Sequence, residues 1–340
     1  MIQQIESPSS RIDLQSSFRQ IFAVILSVRP AISVVMIVGT NRANAQGVLD
    51  ALARQSCPDE LLEIVVFDCA DESVPALIMP SRFASKYLRR PGLHFWRVAR
   101  AQAAKESSAP IVAFLEDHCE PHATWAERLL EAHSDGRWAA VGYAFTNGSR
   151  DSWWSRSALM ADYGFFAHPA EGGPARLLAG NNVSYSRWFL DELGDDFEKA
   201  VGVDFNVQEM ANTRRHAMKV APAVLAAHRC YASLWELCAA NFYYLKILSV
   251  ARAKANGWLF PTRLAWACAV LAFVPTLRVL RLAKSIARRP SLIPTFLASV
   301  PVVFLVYYAA ALGEAAGYLF GLRDAEEQFV KWELNTPRIA

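Results

Sequence analysis

The stretch ISVVMIVGTNR, residues 32–42, decides the fold class. Its first seven residues are an apolar, β-branched run. A strand with one wet face alternates polar and apolar residues; a run without that alternation reads as a strand buried on both faces. Thr40 or Asn41 then offers a helix cap, and Val48, Leu49 and Leu52 share one face of a following helix that stops near Cys57-Pro58.

The same grammar continues along the chain. EIVVFD (63–68) is a second buried strand ending in a carboxylate, and LHFWRVA (93–99) a third. AQAAKESSA is a short helix and PIVAFL (110–115) a fourth strand. Trp125, Leu129, Leu130 and His133 line a helix face, and AAVGYAF (139–145) is another strand. Alternating buried strands and helices predict an α/β layered fold with a mainly parallel sheet. Such sheets bind ligands at the carboxyl ends of their strands. Three polar clusters fall at such ends: Thr40-Asn41-Arg42, Asp68 through Glu72, and Glu116-Asp117-His118-Cys119-Glu120. Further on, LLAGNNVSYSR is a turn leading into a short strand, Asp204 opens a helical stretch, and residues 218–225, interrupted by Pro222, read as an edge strand.

Composition narrows the class. The 340 residues are 53% hydrophobic and 20% charged, with mean hydropathy +0.15. That excludes disorder and points to a globular domain with a membrane-facing part. A net charge of +3 excludes a wholly basic nucleic-acid binder. The six cysteines follow no disulfide or C-x-x-C spacing, which implies free thiols in a reducing compartment.

The last third changes character. Between Glu236 and Glu314 there is no Asp or Glu, while Lys and Arg recur. Residues 234–255 read as a helix. Residues 264–277, about fourteen and containing Pro275, suit an interfacial segment; residues 292–313, about twenty-two and uncharged, are long enough to cross a bilayer. The basic stretch RVLRLAKSIARRP lies between them, and the positive-inside rule keeps it cytoplasmic if only the second segment crosses or dips in.

Together these segments resemble the family 2, inverting glycosyltransferases with a GT-A fold, over about three-fifths of the chain. SVVMIVGTNR resembles that family's opening S-V-V-I-P-T-Y-N-R, and EIVVFDCADES its E-I-I-V-V-D-D-G-S-x-D. RVARAQAAKESSAPIVAFLEDHCEP resembles the approach to the D-x-D motif, LLAGNNVSYSR the acceptor-side G-x-N stretch, and VDFNVQEMANTRRHAMKVAPAVLAAH the E-D-x-x-L segment that ends in Pro222 and a distal His228. Cys69, Leu115 and Val203 stand where the pattern has Asp, Asp and Glu.

The resemblance implies a GT-A catalytic domain at 31–233, preceded by an extension at 1–30 and followed by a helical membrane-associated region at 234–322 and a tail at 323–340. It implies sugar transfer from a nucleotide-diphosphate sugar, first of all a UDP-sugar, to a lipid-linked or surface-polysaccharide acceptor at the cytoplasmic face of the membrane. Thr40, Asn41, Arg42 and Asp68 are the implied donor-nucleotide residues. Asp117 with Glu116 would hold Mg2+ or Mn2+, and Asp204 is the implied catalytic base. Asn181, Asn182, His118 and His228 belong to the acceptor or diphosphate side. A zinc set from His118, Cys119 and His122 is the competing chemistry at the third cluster, and a degenerate, non-catalytic GT-A scaffold is the competing function.

Overall fold

The apolar run forms β1 (Ile32–Val38), and its side chains alternate between two cores. Ile32, Val34, Met36 and Val38 enter one; Val35 and Ile37 enter the other. The structure, a computed structural model, describes residues 30–92, 96–201 and 204–339; the side chains of Trp96, Arg97 and Asp204 lie outside that description. α1 (Arg42–Ala53) turns Val48, Leu49 and Leu52 into the first core. Asn41 is its N-cap residue, but neither Thr40 nor Asn41 caps it through a side chain, because both are engaged by a distant segment described below.

β2 (Leu62–Asp68) runs parallel to β1, with Val38 level with Asp68 at the carboxyl edge. The third strand is not where the sequence put it. It is β3 (Ala84–Arg89), parallel to β2 and half exposed. The expected strand at 93–99 falls partly outside the described residues, and its remainder opens α2 (Trp96–Glu106). In the described part of α2, Ala99, Ala101, Ala103 and Ala104 reach the second core, so the chain from Trp96 on is helix rather than strand.

β4 (Ile111–Phe114) lies parallel on the other side of β1. Then follow β5 (Cys119–Pro121), α3 (Trp125–His133), β6 (Trp138–Asn147), α4 (Trp153–Tyr163), β7 (Gly173–Pro174), β8 (Val183–Ser186), α5 (Arg187–Leu193), α6 (Asp195–Ala200), α7 (Asp204–Thr213) and β9 (Ala217–His228). The sheet order among the described residues is β3-β2-β1-β4-β8-β6-β9-β5, with β7 also on β9. β3, β2, β1 and β4 are mutually parallel; β8 is antiparallel to both β4 and β6, and β9 is parallel to β6. The fold is a GT-A type layered α/β domain followed by a helical region.

β9 is not the edge strand that Pro222 suggested, since β6 flanks one side and β7 and β5 share the other. Pro222 lies where the register to β6 slips, between the pairs Gly142–Val220 and Ala144–Leu225, so its missing N–H breaks no ladder bond there.

The helical region holds α8 (Leu234–Ala255), α9 (Phe260–Ala287), α10 (Ile293–Phe320) and α11 (Ala325–Leu334). α8 has the expected bounds, opened by a Ser233–Glu236 capping box. The two apolar segments are longer than their composition indicated. α9 continues through Pro275 into the basic stretch, so Arg278, Arg281 and Lys284 are helical rather than part of a loop. α10 packs along α8 with almost no gap: a Cβ on Gly313 would stand 2.0 Å from the Phe242 carbonyl oxygen. Glu314 of α10 pairs with Arg252 and Arg278. The α9–α10 turn is pinned to the α/β domain by Arg289, which donates to the carbonyls of Gly164 and Ala167 at 2.9 Å each, and by an Arg288–Glu171 ion pair.

The stretch 323–340, read as a tail, is built into the domain. α11 packs on α8, and residues 335–339 then cross the carboxyl edge of the sheet as a strap.

Candidate active site

β4 ends at Phe114, and the Leu115 N–H still donates to Val35 O at 3.1 Å, so Glu116 emerges beside the end of β1. There its carboxylate, 5% exposed, is gripped from several sides. Tyr163, the last residue of α4, donates to Oε2 at 2.9 Å, and Asn181 Nδ2 donates to Oε1 at 2.9 Å. Asn182 Nδ2 also donates to Oε2, while its Oδ1 accepts the Glu116 N–H at 2.9 Å. Two consecutive asparagines can aim at one carboxylate because Asn181 is left-handed, with φ of 63°, a conformation that asparagine tolerates. Arg100 Nη1 in turn donates to Asn181 Oδ1 at 3.1 Å and stacks on Phe114.

Two imidazoles face Glu116 Oε2: His118 Nε2 at 3.6 Å and His228 Nε2 at 3.5 Å. His228 is the last residue of β9, held level with Cys119 of β5 by antiparallel pairing, and the two rings meet edge to face at 4.9 Å. Glu116, His118 and His228 each offer one ligand atom within 4.8 Å of the others, all buried. Burial, then the charge of Arg338 and the neighbouring His228, holds His118 well below the usual imidazole range. Burial likewise pushes His228 down to about 4. Both rings are therefore neutral near pH 7, the form in which imidazole donates a lone pair to a metal.

Asp117 does not join this group. Its Oδ1 is 2.8 Å from His118 Nδ1, on the far side of the ring. With Nδ1–H donating to Asp117, Nε2 is left free to ligate, and the carboxyl orients the ring. Burial raises the Asp117 carboxyl well above its ordinary value. His122 sits apart, 3.1 Å from Thr146 Oγ1, so His118, Cys119 and His122 do not converge as a zinc set.

The donor-side residues come to the same edge but are occupied by the chain itself. Asp68, fully buried, accepts from Arg42 at 2.8 and 3.0 Å, from the Ala70 N–H at 3.0 Å and from the Tyr87 hydroxyl. Thr40 donates its N–H and its hydroxyl to Asn335 Oδ1 at 3.0 and 3.1 Å, and Asn41 Nδ2 donates to the Thr336 carbonyl at 3.4 Å. The backbone of Asp204 opens α7; its side chain lies outside the described residues.

Sequence reasoning missed four participants. Tyr163 lay in an aromatic-rich stretch with nothing to mark it. Tyr231 follows the distal histidine by three residues. Glu333 and Arg338 belong to the strap region: the Glu333 Oε2 accepts from Tyr231 OH at 3.1 Å and from Arg338 Nη2 at 3.2 Å. Burial, then the charge of the Glu116 carboxylate, pushes Glu333 up to about 7.

Comparison with known proteins agrees with this architecture. Residues 33–194 match the model of "Glycosyl transferase family 2". No curated protein matches the chain by sequence. Among solved structures, the mannosyltransferase PcManGT from Pyrobaculum calidifontis, in complex with GDP-Man and Mn2+, superposes with a TM-score of 0.52 at 15% identity, covering 92% of this chain and 98% of that one. GalNAc-T7 with UDP, GalNAc and Mn2+ gives a TM-score of 0.45 at 14% identity over 58% of this chain, which spans 43% of that structure's length. The matched residues carry β1, β2, β4, Glu116 and His118, while His228 lies beyond them, and the sheet is of the GT-A type: residues 33–194 are a stretch similar to glycosyl transferase family 2.

Proposed function

We propose that this protein transfers a sugar from a nucleotide-diphosphate sugar to a lipid-linked or surface-polysaccharide acceptor, with metal assistance and inversion at the anomeric carbon. One observation carries the reading: Glu116, His118 and His228 converge at the carboxyl edge of a GT-A type sheet, beside the ends of β1 and β2. The donor set fits a divalent cation. Its two neutral imidazoles and one carboxylate suit Mn2+ better than Mg2+, which prefers oxygen ligands throughout. A cation held there supplies charge neutralisation to a departing diphosphate.

The chain's own groups do the rest. Tyr163, Asn181 and Asn182 fix both Glu116 oxygens, and Asp117 fixes the His118 ring, so little reorganisation accompanies the reaction. The acceptor oxygen bonds to the anomeric carbon as that carbon's bond to the diphosphate breaks. The bonding pair leaves on the phosphate oxygen, and the hydroxyl proton passes to a carboxylate. Asp204, at the first position of α7, is the base that the family resemblance implies.

The acceptor and the location are read from α9 and α10, both long and apolar enough to cross a membrane. Leu264, Phe273, Leu277 and Leu280 of α9 and Leu297 and Phe304 of α10 are exposed. Because their turn is pinned by Arg288 and Arg289 and α10 lies along α8, the pair suits a hairpin lying in the lipid interface at the cytoplasmic face. Arg281 and Lys284, both exposed, then meet anionic headgroups. Such a seat holds the site beside lipid-linked acceptors.

The test is turnover of UDP- and GDP-sugars with Mn2+ by the full chain and by Glu116→Gln and Asp204→Asn. Unchanged turnover in both variants would sink the enzyme assignment. Donor binding without transfer to any acceptor would assign the scaffold role instead.

A further inference from the structure

The strap of residues 335–339 ties together two strand ends that lie far apart in the sequence. At one end Asn335 holds Thr40, and Leu334 and Asn335 cover Gly39 so closely that a Cβ there would stand 2.5 Å from Asn335 Oδ1. At the other end Arg338 bridges Tyr231, the Ile339 N–H donates to Cys230 O at 2.9 Å, and Ser149 Oγ donates to Ile339 O at 3.1 Å. Between these anchors the strap passes over the edge that carries Glu116, His118 and His228.

Arg338 is the cation on this strap. Its side chain is 1% exposed, stacked 3.3 Å over the Tyr231 ring and paired with Glu333 at 3.2 Å, and the Glu116 charge acts on it. Nη2 is used by Glu333, yet among the described residues Nε and Nη1 have no hydrogen-bond partner. Buried guanidinium donors are seldom left unmade, since each costs desolvation without return. Two idle donors on a planar fork, beside a metal-ligand group, are what a phosphate takes up. The charge is also in range of the site: Arg338 is the foremost charged neighbour acting on both Asp117 and His118.

We propose that Arg338 binds the diphosphate of the donor and of the nucleoside-diphosphate product, receiving through Nε and Nη1 the charge left on the phosphate oxygen when the sugar departs. The proposal rests on the nucleotide-diphosphate reading above. It makes the strap part of the donor site rather than a terminal appendage, and it gives the leaving group a positive partner besides Arg42, whose charge is paired with Asp68.

Calorimetric titration of UDP and GDP, and of UMP and GMP, with Mn2+ present tests it on the full chain, Arg338→Lys and Arg338→Gln. Loss of charged hydrogen bonds should weaken diphosphate binding by about 10- to 100-fold in Arg338→Gln, with Arg338→Lys between it and the parent. Monophosphate binding should move little, which separates contact with the diphosphate from a general loosening of the strap. Should Arg338→Gln fail to fold, the double variant Glu333→Gln/Arg338→Gln removes the ion pair as a unit and is read the same way. Equal diphosphate affinity in parent and variant, or equal losses for mono- and diphosphates, overturns the proposal. So does a chain ending at Leu334 that turns donor over faster than the full chain, since the strap would then be an occupant of the site. A parent chain that binds neither UDP nor GDP fails the nucleotide-sugar reading itself.

Discussion

His228 Nε2 stands 3.5 Å from Glu116 Oε2, although 112 positions separate the two residues in the sequence. The antiparallel pairing of β5 with β9 makes the meeting, by setting Cys119 level with His228. His118→Ala and His228→Ala should each abolish measurable Mn2+ binding, read by calorimetry, while the chain still melts cooperatively. Retention of parental Mn2+ affinity in either variant would remove the metal assignment.

Asp117 should behave differently. Replacing it with Ala deletes no ligand but frees the His118 ring, so Mn2+ affinity should fall by about 10- to 100-fold rather than vanish. A loss as complete as that of His118→Ala would make Asp117 a direct ligand, as the D-x-D resemblance implied.

Acid should destabilise the fold through His133. It is buried between Ser184 Oγ at 2.8 Å and Ser186 Oγ at 3.3 Å, and burial, then Lys219, pushes it from 6.5 down to about 3. A depressed imidazole contributes stability that is whole above pH 6.5 and is lost as pH falls towards 3. At pH 5 the loss is about 2 kcal/mol, from the 1.5 pH steps below the unfolded value. Urea midpoints at pH 7 and pH 5 measure it, and His133→Gln should show a correspondingly smaller drop. An identical drop in the variant would assign the effect elsewhere.

Gly313→Ala should loosen α10 from α8, because the new Cβ would meet the backbone of Phe242 rather than a side chain that can swing away. A cost of about 1–3 kcal/mol or more is expected in urea unfolding. An unchanged midpoint would mean that the two helices are not closely packed there.

The exposed apolar face of α9 predicts lipid binding. Phe273→Glu with Leu280→Glu should greatly reduce co-sedimentation with vesicles containing anionic lipid, and leave nucleotide binding as it was. Undiminished sedimentation would point to a different contact surface.

The parts legible in the sequence were those whose burial is symmetric. β1, β2, β4 and β6 are apolar on both faces, so their runs are unbroken, and the carboxylates at the ends of β2 and β4 stand out by contrast. β3 was missed because it is a half-exposed strand with polar residues, Ser85, Lys86 and Arg89, and carries no such run. Its place was given to residues 93–99, an apolar run whose described part, from Trp96, begins a helix. At the site, Glu116, His118, His228, Asn181 and Asn182 were all nameable, since each lies at a strand end or turn. Which of them share an atom's space depends on the β5–β9 register and on a left-handed Asn181, and neither is written locally. Glu333 and Arg338 were invisible for another reason: charged residues on a short amphipathic helix and the stretch after it look solvated until the chain folds back over the sheet.

The pin at Arg289 has a mechanical consequence. Its guanidinium holds the carbonyl of Gly164, and the residue before that, Tyr163, holds Glu116. The turn of the apolar hairpin and the carboxylate of the metal-ligand group are thus separated by one arginine, one peptide and one tyrosine. A lever that short has almost no slack. Were the hairpin seated in lipid as proposed, a shift of its turn would reach Glu116 through Gly164 and Tyr163 alone.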